Sequence, residues 1–244
     1  MKQNGLRPEA VSWYTGMLAL TLIAVLFGLI FSEEGYNPAR LHLGYAYITG
    51  IQFCLLTAFF PFLYENNREQ NRSIWKLGYK FVQPVCLLVG AALPIYLAYF
   101  VIWGRVPASF GTILGVEVSW GIALAGLQQA SVHTRPFPIR YFFRMMLFSG
   151  SVLLISILFL SVYVAYEQAV ITTVFDKDIP LLFFINPLLV LGGLLYEPIG
   201  GNQLGSLPVI ITCLFSVVFG TFFYFCAYVK QRATAGKERK YAAR

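Results

Sequence analysis

Apolar residues run along this chain in blocks too long for a soluble fold and without the polar face of a surface helix. Six blocks stand out, at 12–31, 42–64, 81–103, 109–132, 145–166 and 207–229. At 1.5 Å rise per residue each spans about 30 Å of hydrocarbon. Polar and charged segments separate them, with Pro and Gly near several ends. The first block carries no small-residue cleavage pattern and is too long for a signal-peptide core, so it reads as a retained span. A shorter apolar stretch, 179–196, is interrupted by Pro180 and Pro187. The pattern predicts an all-α polytopic membrane protein of six transmembrane helices, forming one transmembrane domain over 1–244.

Composition agrees. Hydrophobic residues make up 58% of the 244 residues and charged residues only 12%. Soluble domains run near a quarter charged. Disordered chains and disulfide scaffolds are excluded on the same grounds. Six spans with short loops leave no length for a nucleotide-hydrolysing or DNA-reading domain.

Charge fixes an orientation. The net charge is +7, and the basic residues are unevenly distributed. The N-terminal tail, the loops after spans two and four, and the C-terminal tail hold fifteen of the 18 Lys and Arg residues. By the positive-inside rule these segments are cytoplasmic, so the chain is N-in and C-in. Such bias and such short loops suit a bacterial inner (plasma) membrane. The positive charge is then an orientation device and a surface for anionic membrane lipids, and no nucleic-acid partner is expected. The alternation also requires the external stretch at 179–201 to enter and leave on one side, as a re-entrant hairpin or an interfacial helix. Asn186 would cap its second helix, with Pro187 at the first helical position. A further break is expected around Gly192 and Gly193.

Candidate chemistry is sparse. Cys54, Cys86, Cys213 and Cys226 all lie in apolar runs without a CxxC pair and read as small buried hydrophobes. His42 and His133 fall near opposite membrane faces and cannot share a metal. HExxH, GxSxG and GxxxxGK[ST] are absent. No catalytic, cofactor-binding or metal site is expected, and the chain does not read as an enzyme. Glu117 is the one acid deep inside a span, roughly 12 Å below the outer boundary at 1.5 Å per residue. Acids at such depth are costly and mark a cavity, a path or a partner. Two readings stay open: a side chain on a substrate path or subunit interface, and a protonated or locally bonded structural residue. In the same span Gly111 and Gly115 form a GxxxG, which permits close helix packing.

The loop 65–80, "ENNREQNRSIWKLGYK", is polar first and then places Ile74, Trp75, Leu77 and Tyr79 among Lys76 and Lys80. It predicts a short amphipathic helix along the cytoplasmic surface, either an interfacial anchor or an element that docks on a cytoplasmic partner. The turn 133–145, "HTRPFPIRYFFRM", needs no role beyond a connector.

This arrangement resembles the permease subunits of type-2 ABC transporters. The likeness rests on the six spans, the charged loop after span two, "FFINPLLVLGGLL" at 183–195 and "LAGLQQASVHTRPFPIRYFFRMM" at 124–146. The resemblance implies a permease subunit of an ATP-driven exporter working by alternating access. Its partners would be a cytoplasmic ATPase subunit and a second permease copy or a related permease. ATP would be bound on the partner, with no cofactor on this chain. Glu65, Arg68, Glu69, Arg72, Trp75 and Lys76 would form the coupling loop against the ATPase. Residues 179–201 would form the external re-entrant helices. The alternative is a non-transport integral scaffold subunit that anchors a larger membrane complex. An intramembrane enzyme or haem-handling protein would rest on Glu117 and His42 alone.

Overall fold

The computed structural model describes residues 5–6, 8–30, 38–65, 74–132, 147, 150–158, 161, 172–174, 177–179, 184–196 and 205–242. Among them the chain is helical apart from two small antiparallel ribbons. The long helices are α1 (Pro8–Ile30), α2 (Pro38–Leu63), α3 (Ile74–Trp103) and α4 (Phe110–Val132). A helical stretch over 150–158, α5, follows. Then come the short α6 (Pro187–Tyr196) and the long α7 (Ser206–Ala242). Five of these, α1 to α4 and α7, are long and apolar enough to cross a membrane, which makes the chain an integral membrane protein. They match five of the six expected spans. Of the other, 145–166, half the residues are described, and 150–158 among them are helical.

Local sequence explains where the helices begin. α1, α2 and α6 each start at a proline, whose fixed φ suits the first helical position and whose missing N–H is not needed there. The α3–α4 hairpin turns at Gly104, with φ of 77°, a conformation that favours glycine. The Gly104 N–H donates to the Phe100 carbonyl at 2.7 Å, closing the end of α3. The Arg105 guanidinium lies over the Trp103 ring, 5.4 Å from its centroid.

One expectation changes. Residues 74–80 do not form a separate helix along the membrane surface; they are the first two turns of α3. No proline or other strong breaker separates Lys80 from Phe81, so the helix continues. At 1.5 Å per residue, α3's 30 residues reach about 45 Å, well beyond the hydrocarbon.

Two ribbons tie the ends. β1 (Gly5–Leu6) pairs antiparallel with β2 (Tyr64–Glu65), in register Gly5 with Glu65 and Leu6 with Tyr64. This puts the N-terminal tail beside the exit of α2, at the same end of the bundle. β3 (Thr172–Val174) pairs with β4 (Lys177–Ile179) before α6. Neither ribbon was expected from the apolar pattern.

α4 is the central helix, in contact with α2, α3, α6 and most extensively α7. The α4–α7 contact is backbone on backbone. Gly126 sits directly against Gly220, and a Cβ on Gly220 would lie 2.5 Å from the Ile122 carbonyl oxygen. At Gly121 a Cβ would lie 2.5 Å from Val85 Cγ1 of α3. Gly111 and Gly115, the GxxxG pair, have nothing within 4 Å of that position. Close approach is therefore made by the second pair of glycines in α4, not the first.

Candidate functional site

α2 turns one polar stripe into the bundle. His42, Thr49, Gln52 and Thr57 are all buried, with Tyr45 among them. Their spacing of three to five residues holds them on one helix face. Together they reach three neighbouring helices, α6, α3 and α4. The His42 Nε2 lies 3.0 Å from the Leu195 carbonyl oxygen at the end of α6. The Tyr96 hydroxyl of α3 donates to Thr49 Oγ1 at 3.2 Å. The Trp120 Nε1–H of α4 donates to Thr57 Oγ1 at 3.0 Å. Thr57 in turn donates to the Phe53 carbonyl at 2.8 Å.

Glu117 stands in the middle of this stripe. Gln52 Nε2 donates to Glu117 Oε2 at 3.0 Å, and both side chains have 0% exposure. The opposite oxygens, Gln52 Oε1 and Glu117 Oε1, are buried and accept no hydrogen bond. The Tyr14 hydroxyl of α1 lies close to both groups yet makes no hydrogen bond of normal geometry. Tyr45 is likewise buried without a partner for its hydroxyl, beside Thr49. Four helices thus bring oxygen-bearing side chains to one place inside an apolar bundle. Leaving such groups bare costs about 1–3 kcal/mol each, so the cluster is expensive to keep.

Aromatic rings close the cluster toward the α3–α4 turn. Tyr45 meets Tyr96 at 5.8 Å and Phe100 at 5.6 Å, centroid to centroid. Phe100 meets Phe110 edge-on at 5.0 Å. The Tyr99 hydroxyl donates to the Leu41 carbonyl, fastening the start of α2 to α3. On the other side of Glu117, Phe53 stacks on Trp120 at 6.2 Å.

α6 is held from its first residue. Asn186 Oδ1 accepts from the Leu188 N–H at 3.0 Å and faces the Leu189 N–H at 3.4 Å, capping the helix as expected. Its Nδ2 donates to Ser156 Oγ of α5 at 2.7 Å. Pro187 takes the first position. The expected break at Gly192 and Gly193 does not occur; α6 runs through both to Tyr196. Leu189, Val190, Leu191, Leu194 and Leu195 are buried, and that packing outweighs the weak helix preference of two glycines. At ten residues, or about 15 Å, α6 is too short to cross a bilayer.

The other expected sites fare differently. Arg68, Glu69 and Arg72 lie outside the described residues. Of Glu65, Trp75 and Lys76 only the backbone is described: Glu65 ends β2, and Trp75 and Lys76 open α3. His42 is buried, its ring packed near Trp103 at 5.7 Å. The cysteines are free thiols, and Cys86 and Cys226 face outward rather than into the core. An apolar groove of about 790 Å³ between α1 and α2, lined by Leu20, Val25 and Leu43 among others, opens at the surface of the bundle. It is separate from the polar cluster. Among the described residues no group of three or more His, Cys, Asp or Glu is placed to hold a metal ion.

The sequence reading found Glu117 but missed its partners. The signal was present: Tyr45, Thr49 and Gln52 recur at helical spacing within an otherwise apolar span. No protein-family model, curated protein or solved structure matches the chain.

Proposed function

We propose that the chain is the permease subunit of an ATP-driven exporter, with the Glu117–Gln52 cluster on its transport path. The observation that carries this is a buried acid at the meeting of α1, α2 and α4, held by a single amide. A scaffold could fill the same space with apolar side chains at no cost, whereas a path needs polar groups inside the bundle. In this reading both termini are cytoplasmic, and the ribbon between the N-terminal tail and the α2 exit keeps two cytoplasmic segments together. The extension of α3 from Ile74 to Lys80 would be a rigid lever on the ATPase subunit, carrying Trp75 and Lys76. α6 would be the second arm of the external re-entrant hairpin, and a second permease copy or a related permease would complete the path.

The test is purification of the tagged full chain in mild detergent, with mass spectrometry of what accompanies it. A stoichiometric soluble chain bearing a GxxxxGK[ST] loop is expected, lost when Trp75→Ala and Lys76→Glu are combined. Recovery of the chain alone, or with membrane subunits only, would overturn the exporter reading.

A further inference from the structure

The Glu117–Gln52 pair lacks one hydrogen. Gln52 Nε2 supplies the bond to Glu117 Oε2, but the remaining oxygen of each group is a buried acceptor with no donor. An ionised carboxylate cannot mend this, because it only accepts; a carboxylic acid has an O–H to give. An acid and a primary amide can satisfy each other reciprocally, N–H to one oxygen and O–H to the amide oxygen. The Tyr14 hydroxyl, bare and close by, is a second acceptor for the same proton.

Among the described residues nothing else in the bundle neutralises an ionised Glu117. No Lys or Arg occurs in α1, in α2 from Leu41 to Leu63, in α3 from Phe81 onward, or in α4 and α6. α7 carries none before Lys230; its titratable side chains up to there are Cys213, Tyr224, Cys226 and Tyr228. Among the described residues the titratable groups close enough to feel Glu117 are Tyr14 of α1, Tyr45 of α2 and Tyr96 of α3. His42 is ten residues from Gln52 on α2, about 15 Å along the helix. An isolated buried charge with no counter-ion is resolved by neutralisation rather than by paying for desolvation.

We propose that Glu117 is a reversible proton-binding site, neutral and paired with Gln52 in the closed bundle and deprotonated when the site is opened to water. On opening, the Oε1–H bond breaks and the proton joins an admitted water molecule. The carboxylate left behind keeps its bond from Gln52 Nε2. Reloading is the reverse. Polar side chains reach from this point toward both ends of the bundle, Tyr14 near the start of α1 and Thr49, Tyr96, Tyr45 and His42 toward the start of α2. The site shares Glu117 with the exporter reading but not its test, because proton binding is read on the chain alone and survives the absence of an ATPase.

The experiment is infrared difference spectroscopy of the full chain in phosphatidylcholine vesicles, titrated from about pH 5 to about pH 10. The other ten acids lie outside the six predicted spans. A carboxylic-acid carbonyl band at neutral pH is therefore expected to belong to Glu117. It should fade as pH rises, be absent in Glu117→Gln, and in Gln52→Leu show a tenfold change in proton affinity, about one pH unit. Glu117→Gln retains an amide that can pair with Gln52, so it separates loss of the proton from loss of the fold. A wild-type chain with no acid band at neutral pH would overturn the proposal. So would a band that persists unchanged across the whole titration, which would make Glu117 a fixed structural acid.

Discussion

Replacing Gly126 by Ala tests whether α4 and α7 are held by backbone contact. A Cβ at Gly126 would run into the backbone of Gly220, and the obstructing atoms are carbonyl and Cα, not the end of a flexible side chain. Relief requires the two helices to separate along their length. Overpacking of this kind costs about 1–3 kcal/mol. Against it stands the gain from replacing a helical glycine by alanine, about 1 kcal/mol. The net loss is at most about 2 kcal/mol, or a fall of roughly 4–8 °C at about 2–4 °C per kcal/mol for a chain of this size. Gly115→Ala is the internal control, since nothing lies within 4 Å of its added carbon. It should be neutral or slightly stabilising. The assay is thermal unfolding of the purified variants in one detergent, followed by near-ultraviolet circular dichroism. If Gly126→Ala melts no lower than Gly115→Ala, the close approach of α4 and α7 is not what stabilises the bundle.

Other contacts make separate predictions. Asn186→Ala removes the cap of α6 and the bond to Ser156, and should cost about 1–2 kcal/mol in the same melting assay. Asn186→Asp, which keeps the capping oxygen, should recover part of that loss. Thr57→Val and Trp120→Phe should be less destabilising together than the sum of the single changes, by about 0.6 kcal/mol, because they share one hydrogen bond; full additivity would show that bond to be energetically silent. Gly44→Ala should destabilise strongly, since its Cβ would lie 2.7 Å from the Tyr99 hydroxyl oxygen and 2.8 Å from Val25 Cγ1. Tyr99→Phe should relieve the clash only in part, measured as incomplete recovery of melting temperature in the double variant.

Span positions were legible because length and hydropathy alone decide them. The ends of α1, α2 and α4 lie within about four residues of the expected limits, the scatter normal for helix termini. Asn186–Pro187 was legible for a different reason: capping is a local interaction, written in adjacent residues. The two-turn extension of α3 was not, since an amphipathic run beside a span reads equally as a surface helix or a continuation. The glycines misled for a related reason. GxxxG says that close approach is permitted at Gly111 and Gly115, but only the neighbouring helix decides where it happens, and α7 brings Gly220 to Gly126. The polar cluster was half legible. A lone acid in an apolar run is conspicuous, whereas Thr49, Gln52 and Tyr14 are ordinary residues until three helices bring them together.

The way the cluster is held says how it can respond. α2 meets each neighbour through a different rung: His42 to α6, Thr49 to α3, Gln52 and Thr57 to α4, and Gln52 again toward Tyr14 of α1. Only the α4 contacts hold Glu117 itself, and α4 is further braced by α7 through glycine backbone. α1 packs on α2 and α3, with Tyr14 and Leu18 in the core, but its contribution to the cluster is an unbonded hydroxyl. A movement of α1 would therefore break no hydrogen bond at the cluster, yet would uncover the bare side of Glu117 and Gln52. A movement of α4 would have to break the Gln52 and Trp120 bonds and part the α4–α7 contact. Opening on the α1 side would cost apolar packing but no hydrogen bond at the cluster, and the bare oxygens of Glu117 and Gln52 would be the first polar atoms that entering water could satisfy.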